Sequence, residues 1–278
     1  MKLKTFIKWS GNKSKHLRHL IPHVPKDFNT YIEPFVGSGA LLLALQPISW
    51  VINDINKDLV NSWIQLQKNP GEILDFFNGF SNVFKPMAVK DKVLMCKELT
   101  SKIESFDYDS KRASIYMLMK FCVYNGHIFT KNKFYFGGLD MHIYLQNRYF
   151  FLEEKMKNNL IEVSKYLNKN NNCKIYNIDY KEVLKKAKSG DFVFLDPPYI
   201  EDHNYGFNYN KDENIDINFI KELYKEVCIL DNKKIKWMMT QADTHDVHKI
   251  FKKYKIIKFK VYRSRSKKYI YELLIMNY

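Results

Sequence analysis

An α/β fold built on a doubly wound sheet is predicted by three observations in the sequence. The stretch TYIEPFVGSGALLLAL (30–45) combines a short strand pattern, a turn containing glycine and an apolar helix. WVIND (50–54) is a second strand pattern, and it ends in an acid. Strand and helix patterns alternate again beyond residue 160. Such alternation is typical of a sheet that carries helices on both faces.

The remaining elements follow in order along the chain. Helical periodicity in 55–77, 93–103 and 114–124 predicts a series of helices. The glycine-bounded aromatic segment NGHIFTKNKFYFGG (125–138) predicts a β-hairpin. Its tip residues are Lys131, Asn132 and Lys133. Later strands and helices are predicted from CKIYNIDY, KEVLKKAKSG, DFVFLDPPY, residues 216–231, IKWMMTQ, IIKFKVYR and YELLIMNY.

Two domains are expected from the change of pattern along the chain. Residues 1–55 and 160–278 are expected to form one sheet domain. Residues 56–159 are expected to form a mostly helical insertion that carries the hairpin.

The composition indicates a basic globular protein. The chain has 278 residues, and its 46% apolar content is sufficient for a packed core. Its formal charge of +15 favours polyanionic partners, because lysines and arginines that bind a polyanion release the counterions condensed on it. The basic run at 252–268 is also compatible with a solvated strand face.

Membrane insertion, secretion and metal binding are not expected. No segment has the apolar length of a membrane span, and MKLKTFIKWSGNK at the start lacks the apolar centre of a signal peptide. The cysteines never form a C-x-x-C pair, so neither a zinc site nor a disulfide framework is predicted. We expect the four cysteines to be small core residues of a protein in a reducing compartment. They are Cys96, Cys122, Cys173 and Cys228.

The turn EPFVGSG (33–39) and the acid Asp54 are the first candidate binding residues. Glycines in such a turn let the backbone approach a ligand, although a purely structural turn is an equal alternative. Leu42 replaces the third glycine of G-x-G-x-x-G, which disfavours a pyrophosphate site. Asp54 stands where an acid accepts hydrogen bonds from a ribose, or where it caps the next helix. Together they suit a nucleoside without phosphate, and S-adenosylmethionine fits.

The stretch FLDPPYIEDHNYGF (194–207) places polar and rigid residues directly after an apolar strand pattern. Asp is a poor strand residue, and Pro cannot donate to a sheet, so Asp196 and Pro197 end the strand. They either stop the strand or form a binding site. The second alternative fits the fold, because open α/β sheets bind ligands at the carboxyl ends of their strands.

Several motifs, in their order along nearly the whole chain, resemble the Dam-type (alpha-group) DNA adenine-N6 methyltransferases. They are FIKWSGNK (6–13), EPFVGSG, IND with Asp54, IDY (178–180), DPPY and ELLIMNY. The resemblance implies a Rossmann-like S-adenosylmethionine-dependent methyltransferase sheet with an inserted target-recognition domain. It implies double-stranded DNA as partner and an intracellular location, in the cytoplasm of a prokaryote or of a virus-infected host. It does not predict an oligomeric state.

The resemblance also implies residue roles. Asp196 and the Pro197 carbonyl would accept hydrogen bonds from the adenine amino group, and Tyr199 would stack on the base after it is flipped from the duplex. The implied S-adenosylmethionine contacts are Trp9, Lys13, Phe35, Gly37, Ser38, Gly39, Asp54, Asp179, Tyr180 and Asp196. Trp9 as a core residue and Lys13 as a surface charge remain alternatives. The resemblance also implies that the transfer needs no metal. Asn12 replaces the usual second glycine of the first motif, and a left-handed Asn would preserve the turn.

The hairpin predicts a recognition site other than GATC. In the best-known relatives an arginine reads guanine from the position that Phe129 occupies here, and bidentate Arg–guanine pairs are the commonest specific base contact. Phenylalanine cannot donate to guanine. Alternatively, Phe129 packs beneath the hairpin, and His127 or a lysine reads the base. The residues predicted to contact DNA are Asn125, His127, Phe129, Lys131, Asn132 and Lys133.

Two other functions stay open at the level of sequence. One is methylation of cytosine N4 in DNA or of adenine in RNA. The other is a catalytically silent DNA-binding subunit with a methyltransferase fold, which the intact Asp196–Tyr199 motif and Asp54 disfavour. The biological use could be restriction protection, mismatch marking or viral DNA modification.

Overall fold

A computed structural model of the chain describes residues 3–122, 129–130, 134–135, 153–199, 217–263 and 268–278. It forms two compact units. The helical unit comprises Met1–Ser14, Gly37–Gln46 and Asn56–Asn171. The sheet unit comprises Lys15–Val36, Pro47–Ile55 and Asn172–Tyr278. The predicted role of residues 56–159 as a target-recognition domain stays a prediction.

The described residues form strands and helices in an α/β arrangement, which confirms the predicted fold class. The strands are β1 (Tyr31–Glu33), β2 (Trp50–Asn53), β3 (Phe129–Thr130), β4 (Phe134–Tyr135), β5 (Cys173–Tyr176), β6 (Phe192–Leu195), β7 (Lys236–Ala242), β8 (Lys255–Arg263) and β9 (Lys268–Met276). The helices are α1 (Leu17–Leu20), α2 (Ala40–Leu45), α3 (Lys57–Lys68), α4 (Pro70–Phe84), α5 (Val89–Ser101), α6 (Ser110–Cys122), α7 (Glu154–Leu167), α8 (Tyr180–Lys185), α9 (Ile217–Asn232) and α10 (His245–Ile250).

The main sheet of the described residues has the strand order β5-β2-β1-β6-β7-β9-β8. Strands β5, β2, β1, β6 and β7 are parallel, and β9 runs antiparallel to both of its neighbours. From β1 the chain moves outward to β2 and β5, and then returns to place β6 on the other side of β1. The carboxyl ends of β1 and β6 therefore meet at a topological switch point, where open α/β sheets bind ligands.

Helices α9 and α10 cover one face of this sheet. Leu195 of β6, Met239 of β7 and Leu273 of β9 are fully buried there, together with Leu223 and Val227 of α9. Side chains alternate between the two faces of a strand, so the residues that flank these positions point to the opposite face. Packing against the helices on this face holds β6, β7 and β9 in place, and these strands carry the candidate site.

The helical unit contains α2 to α7 and the β3–β4 hairpin. The helical pattern at 55–77 forms two helices, because Pro70 begins α4 and the residue before a proline disfavours helical geometry. Arg112 of α6 holds Asp58 of α3 through nitrogen–oxygen contacts of 2.6 and 3.3 Å. Since both side chains are nearly buried, this paired charge fixes α3 against α6.

The predicted hairpin is present as two short antiparallel strands. Phe129 pairs with Tyr135, and Thr130 pairs with Phe134. Among the predicted DNA-contacting residues, Phe129 lies in β3. The other five lie outside the described residues: Asn125, His127, Lys131, Asn132 and Lys133.

Candidate active site

Asp196 directly follows β6 at the switch point of the sheet. All four residues of β6 are buried, and Asp196 is the first residue of the strand's continuation that is partly exposed. Pro197 is buried and Pro198 is exposed. Because neither proline has an N–H to donate, the strand ends here with the carboxylate at its carboxyl edge.

Thr240 fixes the carboxylate of Asp196. The Thr240 hydroxyl donates a hydrogen bond of 2.5 Å to Asp196 Oδ1, and the Thr240 side chain is fully buried on β7. Leu195 pairs in register with Met239, so the next residues of both strands, Asp196 and Thr240, lie side by side. The direction of the carboxylate is therefore set by the protein itself.

Tyr199 is anchored to β9 through its hydroxyl group. Tyr199 donates a 2.9 Å hydrogen bond to Glu272 Oε2, and the Glu272 side chain is almost fully buried. Burial and the nearby charges of Glu272 and Asp196 raise the pKa of Tyr199 well above its usual value. The phenol is therefore neutral at physiological pH, and its ring is held in one orientation.

Glu272 also approaches His16, and sequence reasoning missed both residues. Glu272 Oε2 lies 3.7 Å from His16 Nδ1, and the imidazole packs edge-on against Phe259. The signal available in the sequence was an acid within the apolar strand YELLIMNY, where an unpaired charge would be costly. The distant His16 had no such signal.

Asn53 is a second residue that sequence reasoning missed. Its buried side chain donates to the Pro34 carbonyl at 3.0 Å and exchanges hydrogen bonds with the backbone of Ile178 at 3.0 and 3.1 Å. Asn177 donates to the Asp54 carbonyl at 2.8 Å. These bonds tie together the segments that follow β1, β2 and β5, where Phe35, Asp54 and Asp179 lie.

Asp54 and Asp179 both stand at the carboxyl edge of the sheet. Asp54 does not cap α3, because Asn56 takes that role by accepting a hydrogen bond from Leu59 N at 2.9 Å. The alternative interpretation of Asp54 as the helix cap is therefore wrong. Asp179 is exposed and caps α8, with its Oδ1 accepting from Lys181 N at 2.8 Å.

An aromatic cluster lies beside Asp179. The Phe35 ring centroid is 5.1 Å from that of Tyr180 and 6.5 Å from that of Phe219. Burial raises the pKa of Tyr180, and its buried hydroxyl has no hydrogen-bond partner in the described part of the chain. A buried hydroxyl of this kind suits a polar ligand group.

In the helical unit, Trp9 packs directly on Gly37. Gly37 has φ +48°, and a Cβ atom there would lie 2.8 Å from the Trp9 ring. Trp63 Nε1 donates to the Gly37 carbonyl at 3.1 Å, and Lys120 Nζ lies 4.2 Å from the centre of a Trp9 ring. Half-buried Trp9 is therefore held between a glycine and a cation rather than within an apolar core.

Lys13 is buried, so its interpretation as a surface charge is wrong. Its Nζ donates to the Gly11 carbonyl at 3.1 Å. The turn is preserved by a different means from the one expected, since Gly11 and not Asn12 has a positive φ, of +75°. Asn12 Oδ1 instead accepts a hydrogen bond from Ser14 N at 2.7 Å.

The glycine turn leads into α2. Ser38 is buried, and Gly39 has φ +64° immediately before the helix. Left-handed backbone at both Gly37 and Gly39 explains why glycine recurs at this spacing.

Two other kinds of site are absent from the described residues. None of their helices has the length and apolar character needed to cross a membrane. The same residues contain no group of three or more His, Cys, Asp or Glu side chains placed to hold a metal ion.

The chain is similar to known DNA methyltransferases along almost its full length. It is 28% identical to the Type II methyltransferase M1.LlaDCHI of Lactococcus lactis subsp. cremoris, with 99% of this chain and 96% of that protein covered. It is 27% identical to the Type II methyltransferase M.MjaIII of Methanocaldococcus jannaschii, with 100% of both covered. It is 24% identical to the DNA adenine methylase of Haemophilus influenzae, with 96% and 89% covered.

The family described as D12 class N6 adenine-specific DNA methyltransferase matches residues 9–264. This match includes the DPPY motif, the glycine turn and Asp54, and it spans most of the chain. An α/β fold with a carboxylate fixed at the switch point agrees with such an enzyme. The chain belongs to the D12 class of N6 adenine-specific DNA methyltransferases.

Proposed function

We propose that this enzyme methylates the N6 atom of a flipped adenine in duplex DNA at a site other than GATC, using S-adenosylmethionine. The observation that carries the proposal is the pair of fixed groups at the end of β6. Asp196 is held by Thr240, and Tyr199 is held by Glu272. Both are fixed by residues of neighbouring strands.

The amino nitrogen of adenine is a poor nucleophile, because its lone pair is delocalised into the ring. Acceptors aimed at the amino hydrogens favour the tetrahedral nitrogen of the transition state. Asp196 and the Pro197 carbonyl provide these acceptors in the proposal, and Asp196 needs no reorientation because Thr240 already holds it. Transfer is direct, without a covalent enzyme intermediate.

Tyr199 receives the flipped base in this proposal. An amino group within the base stack is out of reach of an active site, so the nucleotide must leave the duplex. A neutral phenol held by Glu272 offers a ring face of fixed orientation. Stacking on such a ring is worth roughly 1 to 3 kcal/mol per base.

The residues of the sheet unit fit S-adenosylmethionine by their chemistry. The carboxylates of Asp54 and Asp179 can accept hydrogen bonds from ribose hydroxyls and an adenine amino group. The ring of Phe35 offers an apolar contact, and the buried Tyr180 hydroxyl offers a donor. When bound, the cofactor supplies an electrophilic methyl group. The residues proposed to hold it in the helical unit are Trp9, Lys13, Gly37, Ser38 and Gly39.

Recognition of the DNA sequence is assigned to the hairpin segment. Asn125, His127 and the tip lysines Lys131 and Lys133 are the proposed contacts, with Asn132 between the lysines. Because Phe129 cannot donate to a guanine edge, the enzyme lacks the bidentate arginine contact that the GATC-specific relatives use.

Transfer of tritiated methyl groups to duplex DNA, followed by nucleoside analysis, tests the reaction. We expect label in N6-methyladenine. Label in N4-methylcytosine, or label only when RNA is supplied, would replace the proposed substrate with one of the alternatives. Duplex binding without any transfer by the wild-type protein would favour the silent DNA-binding subunit.

Sequence specificity is tested by mapping every modified adenine in a host without other methyltransferases. We expect modification at a motif different from GATC. Methylation confined to GATC would show that Phe129 does not occupy the position of the reading arginine.

A further inference from the structure

The β8–β9 ribbon projects beyond the carboxyl edge of the sheet. The last pair between β7 and β9 is Ala242 with Glu272. Strands β8 and β9 remain paired beyond this point, where Lys260 to Arg263 of β8 face Tyr271 to Lys268 of β9. These four further pairs extend about 13 Å, at about 3.3 Å per residue. Since β8 and β7 are both antiparallel to β9, β8 runs toward the edge at which Asp196 lies. We call these four pairs the ribbon tip.

Tyrosines on one face of the ribbon tip are exposed to solvent. Tyr262 pairs with Tyr269, and Lys260 pairs with Tyr271, so these four side chains share a face. The exposed fractions of Tyr262, Tyr269 and Tyr271 are 47%, 64% and 47%. Three neighbouring exposed tyrosines on an edge ribbon indicate an interaction surface, because a large apolar patch in water is otherwise unfavourable.

Lysines are placed on these tyrosine rings. Lys260 Nζ lies 4.6 Å from the Tyr269 ring centre, and Lys258 Nζ lies 4.4 Å from that of Tyr271. Lys258 also pairs with Asp243 at 2.5 Å, whereas no described carboxylate pairs with Lys260 or Lys268. The ribbon tip therefore presents lysine ammonium groups held over tyrosine rings, together with the hydroxyl groups of those tyrosines.

The charge of this region indicates a polyanion as the partner. Residues 247–271 contain ten lysines and arginines and no aspartate or glutamate. Lysine ammonium groups and tyrosine hydroxyls are common donors to the phosphate oxygens of DNA. An apolar protein partner would instead favour aliphatic side chains and fewer charges.

We infer that the ribbon tip binds the sugar–phosphate backbone of the DNA substrate, independently of its sequence. This inference rests on the proposed function, since it requires duplex DNA at the carboxyl edge of the sheet. It adds a contact surface outside the hairpin segment, carried by Lys260 and the exposed tyrosines on one face of the ribbon tip and by Lys268 on its other face. The alternative is that the lysines only protect an edge strand from pairing with another chain.

Two double variants with equal loss of charge test this inference. Lys260→Gln with Lys268→Gln alters the ribbon tip. Lys252→Gln with Lys255→Gln is the control, because these exposed lysines lie at the opposite end of β8. The readout is the affinity for duplex DNA over a salt series, measured by fluorescence anisotropy after equal thermal stability has been verified.

We expect the slope of log K against log salt to become shallower by about 1.8 for the ribbon-tip variant, at about 0.9 per lost phosphate contact. The control should keep the wild-type slope. Tyr262→Ala with Tyr269→Ala should weaken binding by at least about tenfold, since each phenol removed is a possible donor to a charged phosphate oxygen.

The outcomes separate this inference from the proposed function. Wild-type protein that neither binds nor methylates duplex DNA would overturn the proposed function. Wild-type protein that binds duplex, together with a ribbon-tip variant of unchanged slope, would overturn the ribbon inference alone. Equal slope changes in both lysine variants would also overturn it, because the charge would then act without a defined contact.

Discussion

Asp196 illustrates how a single residue is prepared for the proposed chemistry. Its carboxylate is held at 2.5 Å by a buried hydroxyl before any substrate arrives. Asp196→Ala is expected to reduce methyl transfer on the order of 100-fold to 1000-fold, the typical cost of removing one preplaced electrostatic partner. Duplex binding should change little. Single-turnover transfer of a labelled methyl group measures the effect, and near-normal turnover would refute the assigned role.

Thr240 provides a test of this positioning without removal of the carboxylate. Thr240→Val keeps the shape of the side chain but removes the donor to Asp196. We expect a lower kcat with little change in KM for DNA, since the Asp196 carboxylate is retained but loses the donor that directs it. Thr30→Val serves as the control, because Thr30 lies at the amino end of β1. Equal kcat values for the two variants would argue against positioning by Thr240.

Tyr199 permits its ring and its hydroxyl to be tested separately. Tyr199→Ala should weaken capture of the flipped base by roughly 1 to 3 kcal/mol, the usual contribution of stacking. Tyr199→Phe keeps the ring and removes the hydroxyl group that donates to Glu272. Fluorescence of 2-aminopurine at the target position measures base flipping. The signal should fall in the alanine variant and persist in the phenylalanine variant, and an unchanged signal in both would exclude the stacking role.

At the scale of elements, the turn before α2 depends on glycine for two reasons. Gly37 has φ +48°, and a methyl group there would lie 2.8 Å from Trp9. Gly37→Ala is therefore expected to lower the free energy of unfolding by at least about 1 to 2 kcal/mol, the cost of left-handed backbone for an L-residue.

Gly79 is the matched control for Gly37. It lies within α4, and a Cβ atom there would have no neighbour within 4 Å. Gly79→Ala should increase stability by roughly 0.5 to 1 kcal/mol, because alanine is favoured in helices. Urea unfolding of both variants measures the difference. Equal destabilisation would mean that the Gly37–Trp9 contact does not decide the conformation of the turn.

At the scale of the whole molecule, Asp231 connects the end of α9 to β7 and to the chain terminus. It accepts hydrogen bonds from the Tyr254 hydroxyl at 2.6 Å, from Trp237 Nε1 at 2.9 Å and from Asn277 Nδ2 at 3.0 Å. Burial acts to raise the pKa of Asp231, but its hydrogen bonds outweigh burial and leave the pKa below its usual 3.8.

The lowered pKa of Asp231 predicts a loss of stability in acid. A carboxyl group with a lower pKa in the folded chain stabilises the fold above its unfolded pKa, and that contribution is lost as pH falls through the folded pKa. The urea midpoint should therefore decline below about pH 4. Asp231→Asn should reduce this decline, whereas Asp27→Asn, at an exposed position, should not. An identical decline in the Asp231 variant would contradict the prediction.

The sequence by itself determined the fold class and the motifs that carry the resemblance to the methyltransferase family. Strand patterns interrupted by glycine, acid or proline are local signals, so β1, β2 and β6 were predicted correctly together with the residues that end them. Asp196 was found in the same way, because an acid and two prolines after an apolar strand are anomalous in any context.

Only the tertiary structure decided which residues support those motifs. Thr240, Glu272 and Asn53 each act on a residue that is distant in the chain, through the register of parallel and antiparallel strands. The tertiary structure likewise decided that Asn56 rather than Asp54 caps α3, and that Lys13 is buried. Hydrogen bonds between strands depend on how the chain packs, and a one-dimensional pattern contains no signal for a partner tens of residues away.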